Sequence, residues 1–426
     1  VTAAIPTGSA GFLARFEASR GRLPGDPAIR AAAAEAFRAA GLPGTERGHR
    51  PIEAWKYTSL RPLADMSVAL LSAGAGDGPP QADAALPMPS LDAIAGKATA
   101  TLVFVNGHHR AGTSSFFNRF ATAPAFGPLA EAAREPLVAL NTMLAEDGAM
   151  LDIPADIDAG TIILASLGTT ASPFHPRHHI RLGPGARLVL LETAHGSAAC
   201  LHNPVSTIEV GAGAHLTHVR LQDEHPGAFH LATIYVDIAG SGTYDGFTLN
   251  LGARLTRTEY RARLGGPGAT AHLNGAQLLT GTQHADFTSV VRHAEPHGTS
   301  RQTVKNVLDG RSRGVFQGRI EVARGAQKTD GYQMNQALLL SPDAEIDTKP
   351  ELEIFADDVK CSHGATVGEL DAEQLFYLRA RGISDTEARA ILIRAFLTEA
   401  LEAVTDDAIR AILEAGVQRW WERQVA

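Results

Sequence analysis

The chain has 426 residues, a formal net charge of −8 and only 2 cysteines. Its length admits two or three domains, or one elongated repeat body with appendages, and 44% hydrophobic against 20% charged residues is the balance of a folded chain. The acidic balance and the lack of any Lys/Arg cluster exclude a surface that tracks nucleic-acid phosphates.

From Phe12 to about Leu63 the sequence is Ala-rich with helical spacing. In "DPAIRAAAAEAFRAAGLPG" Asp26 caps, Pro27 suits the first turn and Gly41 ends the segment, so a small helical head is predicted. "SAGAGDGPPQADAALPMP" then reads as a linker.

Over about 98–368 the period changes to 2. In "ATIYVDIAG" Ile234, Val236 and Ile238 share one face against Tyr235 and Asp237; "GFTLNLGA" repeats this with Phe247, Leu249 and Leu251. "VFQGRIEVARG" sets Phe316, Gly318, Ile320 and Val322 against Gln317, Arg319 and Glu321. These are half-buried strands, recurring about every 10–16 residues with corners such as "GPGA", "GAGA", "GSG" and "GGPGA". A single sandwich core stops growing before this many strands, whereas each coil of a solenoid has only to cover its neighbour. The pattern therefore favours a mainly β, β-helix-like solenoid over a large antiparallel sandwich.

After Gly368 helical patterns return. Asp371 with Gln374, and Ser384 with Glu387, have capping-box spacing, and a third segment, "TDDAIRAILEAGVQRWWERQV", finishes a three-helix tail. The expected domains are a head and linker over 1–97, the solenoid over 98–368 and a helical domain over 369–426. The second tail helix has two apolar stripes, Ala388, Ile391, Leu392, Ala395 and Phe396 on one side and Ile393, Leu397, Ala400 and Val404 on the other. Two stripes fit either a helix packed on all sides or one that docks a partner.

Nucleotide-binding and hydrolase signatures are missing: there is no G-x-x-x-x-G-K-[ST], H-E-x-x-H or G-x-S-x-G. No run approaches the roughly 18 apolar residues of a membrane span. Cys200 and Cys361 are too few for a disulfide framework, and "VTAAIPTGSAGFLARFEASR" does not read as a secretory signal, so a reducing, cytoplasmic location is expected. Most of the 17 histidines are expected on solvated faces and corners. His178 and His179 face opposite ways on a strand, as do His215 and His218, and no local cluster supplies the three or four converging ligands of a zinc site.

The stretch "DDVKCSHGATVGEL" differs. Cys361 and His363 lie two apart and so share a strand face, and thiolate and imidazole suit zinc, iron and iron-sulfur chemistry. Lys360 is placed to favour the thiolate, and Asp357 is a third ligand if the strand stays regular. Two ligands do not close a site, so a second chain would have to complete it. The same residues also read as a buried cysteine beside a surface histidine.

The run from Arg313, "RGVFQGRIEVARGAQKTDGYQMNQALLLSPDAEIDTKPELEIFADDVKCSHGATVGELDAEQLFYLRARGIS", with "EAWKYTSLRPL" at 53–63, resembles the SufB/SufD family of iron-sulfur cluster assembly proteins. "KCSHGATVG" after "IDTKPELEIFADDV", and a first cysteine only at Cys200, resemble its SufD branch. The resemblance implies a right-handed parallel β-helix between helical regions, and a non-catalytic subunit that pairs with a SufB-like paralogue through the end of the β-helix. It implies that a SufC-like ATPase docks on the C-terminal helices, with Arg389, Leu392, Ile393, Arg394, Phe396 and Leu397 as the expected contacts. It further implies that His363, with Cys361, lies at the SufB interface, where a transient iron ion or iron-sulfur cluster passes, with no cofactor in the isolated chain. An end-on interface made for a similar partner also admits pairing with a second copy when the paralogue is absent, and the sequence leaves that choice open. Two other functions compete: a polysaccharide-acting β-helix enzyme, and a stand-alone metal-binding protein using the histidines.

Overall fold

The structure, a computed structural model, describes residues 8–45, 52–65, 98–111, 115–116, 121–122 and 135–425. The Gly/Pro-rich linker read at 72–89 lies outside them. Two stacks of parallel strands alternate along the chain and wind it into a β-solenoid of about eight turns. His215, Thr243, Thr270, Thr299, Asp330 and Lys360 occupy one column of the first sheet, so a turn of the coil takes 27–31 residues. One end is closed by short antiparallel strands, His108–His109 and Ala121–Thr122. At the other end Glu345–Ile354 and Lys360–Gly368 each pair on one side only among the described residues.

The expected alternation holds. Ile234, Val236 and Ile238 point inward and are buried, while Asp237 is exposed. The interior is stacked by chemistry, because in-register strands place like positions over one another. Tyr244, Tyr260, Phe287 and Phe316 form an aromatic file with ring centroids 6.5, 5.6 and 6.3 Å apart. Beside it runs an amide file: Asn250 donates to Gln277 at 3.4 Å, Gln277 to Asn306 at 2.8 Å, Asn306 to Asn335 at 2.7 Å and Asn335 to Thr348 Oγ1 at 2.8 Å. Each rung thereby satisfies a polar group of the next.

Half-burial fails for one sheet. Phe247, Leu249 and Leu251 face away from the solenoid interior, yet they are buried under the C-terminal helices with Ile393, Leu397, Leu413 and Trp420. The strand therefore needs apolar groups on its outer face as well. Those helices are Ala372–Ala380, Asp385–Leu401 and Asp407–Val425. Asp371 accepts from the Glu373 and Gln374 main-chain N–H groups, and Ser384 from that of Glu387, as the caps predict.

At the other side of the molecule the head helices Gly8–Ser19 and Pro27–Ala40 cover the second sheet, packing against Phe229, Leu231 and Leu255. Asp26 accepts from Ala28 N–H at 2.8 Å and Gly41, at φ 65°, ends the second helix. A helix not foreseen in the sequence, Pro136–Leu144, lies beside them. Its last carbonyls would be orphans, and the buried Arg30 guanidinium donates to Thr142, Met143 and Ala145 carbonyls at 3.1, 3.1 and 2.8 Å. The "EAWKYTSLRPL" segment straps over the second sheet, with the Trp55 ring 4.2 Å from the Arg257 guanidinium.

Candidate functional site

The strand Lys360–Gly368 is the last rung of the first sheet, and its parallel register sets Cys361 beside Gly331 and His363 beside Gln333. Gly331 and Gln333 are buried interior positions, so Cys361 and His363 share the inward face at the mouth of the solenoid. Cys361 is half-buried against the cluster of Ile320 and Val322, whereas His363 is exposed. The two expected ligands are thus on one face, at an edge that a second chain can reach.

Two details of the sequence reading are corrected. Asp357 precedes the strand, in the bend that leads into it, and so does not continue the ligand column. Burial pushes the Cys361 thiol up, opposed by a main-chain hydrogen bond at Gly331 and reinforced by Asp330. Lys360, on the opposite face of the strand, does not offset this, so the free chain holds a thiol and not a thiolate.

The tail presents a second feature. Phe376, Tyr377 and Leu378 of one helix and Ile391 and Leu392 of the next line an open apolar groove of about 780 Å³. Phe376 is 73% exposed and Tyr377 58%, and no residue of the helix Ala372–Ala380 is buried. Of the six expected partner contacts, Leu392 lines this groove; Arg389 is half-buried and bonded to Asp385 at 2.7 Å, Arg394 is exposed, and Phe396 is half-buried. Ile393 and Leu397 are not available to a partner. They are 2% and 0% exposed because their stripe is the face that closes the core against the first sheet.

The expectation for histidine is also corrected. His175, His178, His179, His195, His202, His218, His230 and His293 are buried. The opposed orientation of His215 and His218 holds: His215 meets Asp245 at 2.7 Å outside, while His218 bonds Glu192 at 3.0 Å and Tyr244 at 2.9 Å inside. What local reading missed is convergence between coils. His202 and His230 stand in register on adjacent rungs and both meet the Glu224 carboxylate, at 3.0 and 2.7 Å. Their signal was a separation of one coil, which becomes visible only once the repeat length is known.

Residues 165–396, more than half of the chain, fit the model for the SUF system FeS cluster assembly, SufBD core domain. The chain belongs to the SufBD family. It is 38% identical over 245 residues to the iron-sulfur cluster assembly protein SufD of Escherichia coli, covering 57% of this chain and 58% of that protein. It is 34% identical over 279 residues to an iron-sulfur cluster assembly SufBD family protein of Synechocystis, covering 62% of each. It is 36% identical over 209 residues to the chloroplastic protein ABCI7 of Arabidopsis thaliana, covering 49% of this chain and 44% of that one. The matches therefore span less than two thirds of the length of these relatives. No helix among the described residues is long and apolar enough to cross a membrane.

Proposed function

We propose that this chain is a non-catalytic scaffold subunit for iron-sulfur cluster assembly, pairing end to end with a SufB-like paralogue. The observation that carries the reading is the open end of the solenoid. The final strand of each sheet lacks a partner on its outer side among the described residues, and the final rung carries Cys361 and His363. An unpaired edge is a template for another strand, and Ile354, Phe355 and Val367 add exposed apolar surface beside it.

In this reading His363 and Cys361 supply half of a ligand set and the paralogue supplies the rest. The iron ion or cluster is cargo, held only while the interface is assembled. The raised Cys361 thiol fits this, since a metal ion or cluster arriving from the partner would displace its proton. A SufC-like ATPase docks in the groove of Phe376, Tyr377 and Leu392, and a change in its nucleotide state biases the interface through the tail. The division at 97/98 and 368/369 then separates head, scaffold and lever, working in the cytoplasm.

A homodimer through the same end is the second occupant of that edge. The strand Glu345–Ile354 carries Glu345, Asp347, Lys349, Glu351 and Glu353 along its outer face, but Arg313, Lys349 and Arg319 already pair Asp347, Glu351 and Glu353, so the charge of this row does not select between a paralogue and a second copy.

The test is co-purification with the SufB-like and SufC-like partners, wild type against His363→Ala, followed by anaerobic iron and sulfide quantification. Equal assembly with much less iron or cluster in the variant supports the split site. Unchanged content makes the last rung an interface element alone, and failure of the wild type to join the paralogue overturns the scaffold reading.

A further inference from the structure

Far from the mouth, the buried wall of the solenoid brings two imidazoles and a carboxylate together with no role in the assembly reading. His202 ends the short strand Leu201–His202, whose parallel register sets it beside His230 at the start of Phe229–Ile238. Their rings are perpendicular with centroids 4.8 Å apart. Glu224 follows the strand His215–Asp223 and turns its carboxylate between them, Oε1 3.0 Å from His202 Nδ1 and Oε2 2.7 Å from His230 Nδ1. The donor atoms of all three residues lie within 4.8 Å of one another.

Three features distinguish this arrangement from an ordinary hydrogen-bonded histidine. The His202 ring has no polar partner but Glu224 among the described residues, and its buried Nε2 is unpaired. Its orientation is therefore set by the convergence and by the Phe174 ring at 4.5 Å. The carboxylate is supported from outside, since Gln222 Nε2 donates to Glu224 Oε2 at 3.1 Å, the kind of contact that fixes a metal-binding carboxylate. The surrounding interior also holds two carboxylates, Glu192 and Glu224, against one guanidinium, Arg220, which bonds Glu192. A cation beside Glu224 restores the balance that burial demands.

We propose that His202, Glu224 and His230 bind one divalent ion of the zinc class, through the two Nδ1 atoms and a carboxylate oxygen, with water in the fourth position. Ligands at about 2.0–2.2 Å from zinc stand roughly 3.3 Å apart in a tetrahedron, so the carboxylate spacings of 3.0 and 2.7 Å have to open slightly while the widest donor pair, within 4.8 Å, closes by a side-chain rotation. Each neutral imidazole moves its proton from Nδ1 to Nε2, so no net proton is released. On His230 the new Nε2–H replaces the acceptor that Arg220 Nη2 faces at 3.3 Å, and Arg220 turns fully to Glu192. Because the site is buried, the ion enters as the chain folds, and its function is to tie adjacent rungs together.

The experiment uses the full chain, unfolded, stripped of metal and refolded with Co²⁺ as the probe. Metal content is measured after desalting, together with the visible absorption of the cobalt centre. The expected result is one tightly held Co²⁺ per chain with a tetrahedral spectrum, at least tenfold weaker retention in His202→Gln and in His230→Gln, and full retention in the double variant Cys361→Ser with His363→Ala. Retention that depends on Cys361 and His363 instead would assign the metal to the mouth and overturn the buried site. A folded wild type that holds no metal overturns it as well, and that outcome is readable even if the glutamine variants do not fold.

Discussion

Lys305 reaches from the outer face of the first sheet to the helix Asp385–Leu401, where its ammonium donates to the Phe396 main-chain carbonyl at 2.8 Å and to Glu399 at 2.6 Å. The side chain is 4% exposed and lies under the Phe396 ring, so the contact pins the proposed docking helix to the solenoid. Lys305→Ala is expected to cost about 1–3 kcal/mol, the range of a charge-assisted hydrogen bond discounted for the exposed Glu399 partner. Lys305→Met keeps the stem packing and should cost less. Urea unfolding reads the loss, and tryptic cleavage within the tail should quicken in the same order; an unmoved midpoint would show that Lys305 is not the anchor.

The groove and the buried stripe separate docking from folding. Phe376→Asp alters an exposed side chain, so stability should stay within about 0.5 kcal/mol of wild type while binding of the SufC-like ATPase is lost. Leu397→Ala empties a core position and should cost about 2–5 kcal/mol with or without the partner. Thermal melts beside pull-down assays distinguish the two. Undiminished ATPase binding by a folded Phe376→Asp chain would remove the groove from the proposed function.

At the mouth the expected pattern is the reverse of a core mutation. His363→Ala leaves an exposed position and should change stability by no more than about 0.5 kcal/mol. Cys361→Ser replaces a half-buried thiol packed on Ile320 and Val322, so a larger cost, about 1 kcal/mol, is expected. If both residues serve the cargo, both variants lose iron or cluster in the complex, although only one loses stability. A loss of cluster that simply tracks melting temperature would make the effect structural.

The strands, corners and helix caps were legible because each rests on local chemistry: alternation at Ile234, Val236 and Ile238, side-chain caps at Asp371 and Ser384, and a positive φ at Gly41. The same-face pairing of Cys361 and His363 also follows from a period of two. What was not legible depends on which coil or helix covers a residue. Leu397 and Leu392 lie on two apolar stripes of one helix, and sequence alone does not say which meets the sheet; the packing assigns Leu397 to the core and Leu392 to the groove. Helix Pro136–Leu144 is buried at every position, so it carries no amphipathic signature to find. His202 and His230 meet only through the register of the solenoid.

The buried histidines predict how stability depends on pH. His178 is held down to about 4, chiefly by burial and against the pull of Glu192, and its Nδ1 accepts a hydrogen bond from the Ala149 main-chain N–H at 3.1 Å. The native fold therefore requires the neutral ring. An unfolded histidine titrates near 6.5, so below that pH the unfolded chain binds a proton that the native chain refuses. The contribution is fully present above about pH 6.5 and is lost progressively as pH falls towards 4, by an amount on the order of 3 kcal/mol. His293, held to about 4 by burial with Asp330 opposing, adds a slope of the same sign. His178→Asn keeps an acceptor near Ala149 without a titrating ring, and should flatten the fall in stability between pH 6.5 and 4 by up to one proton. Urea midpoints at half-unit steps of pH measure it, and an unchanged slope in the variant would show that His178 takes up its proton without leaving the fold.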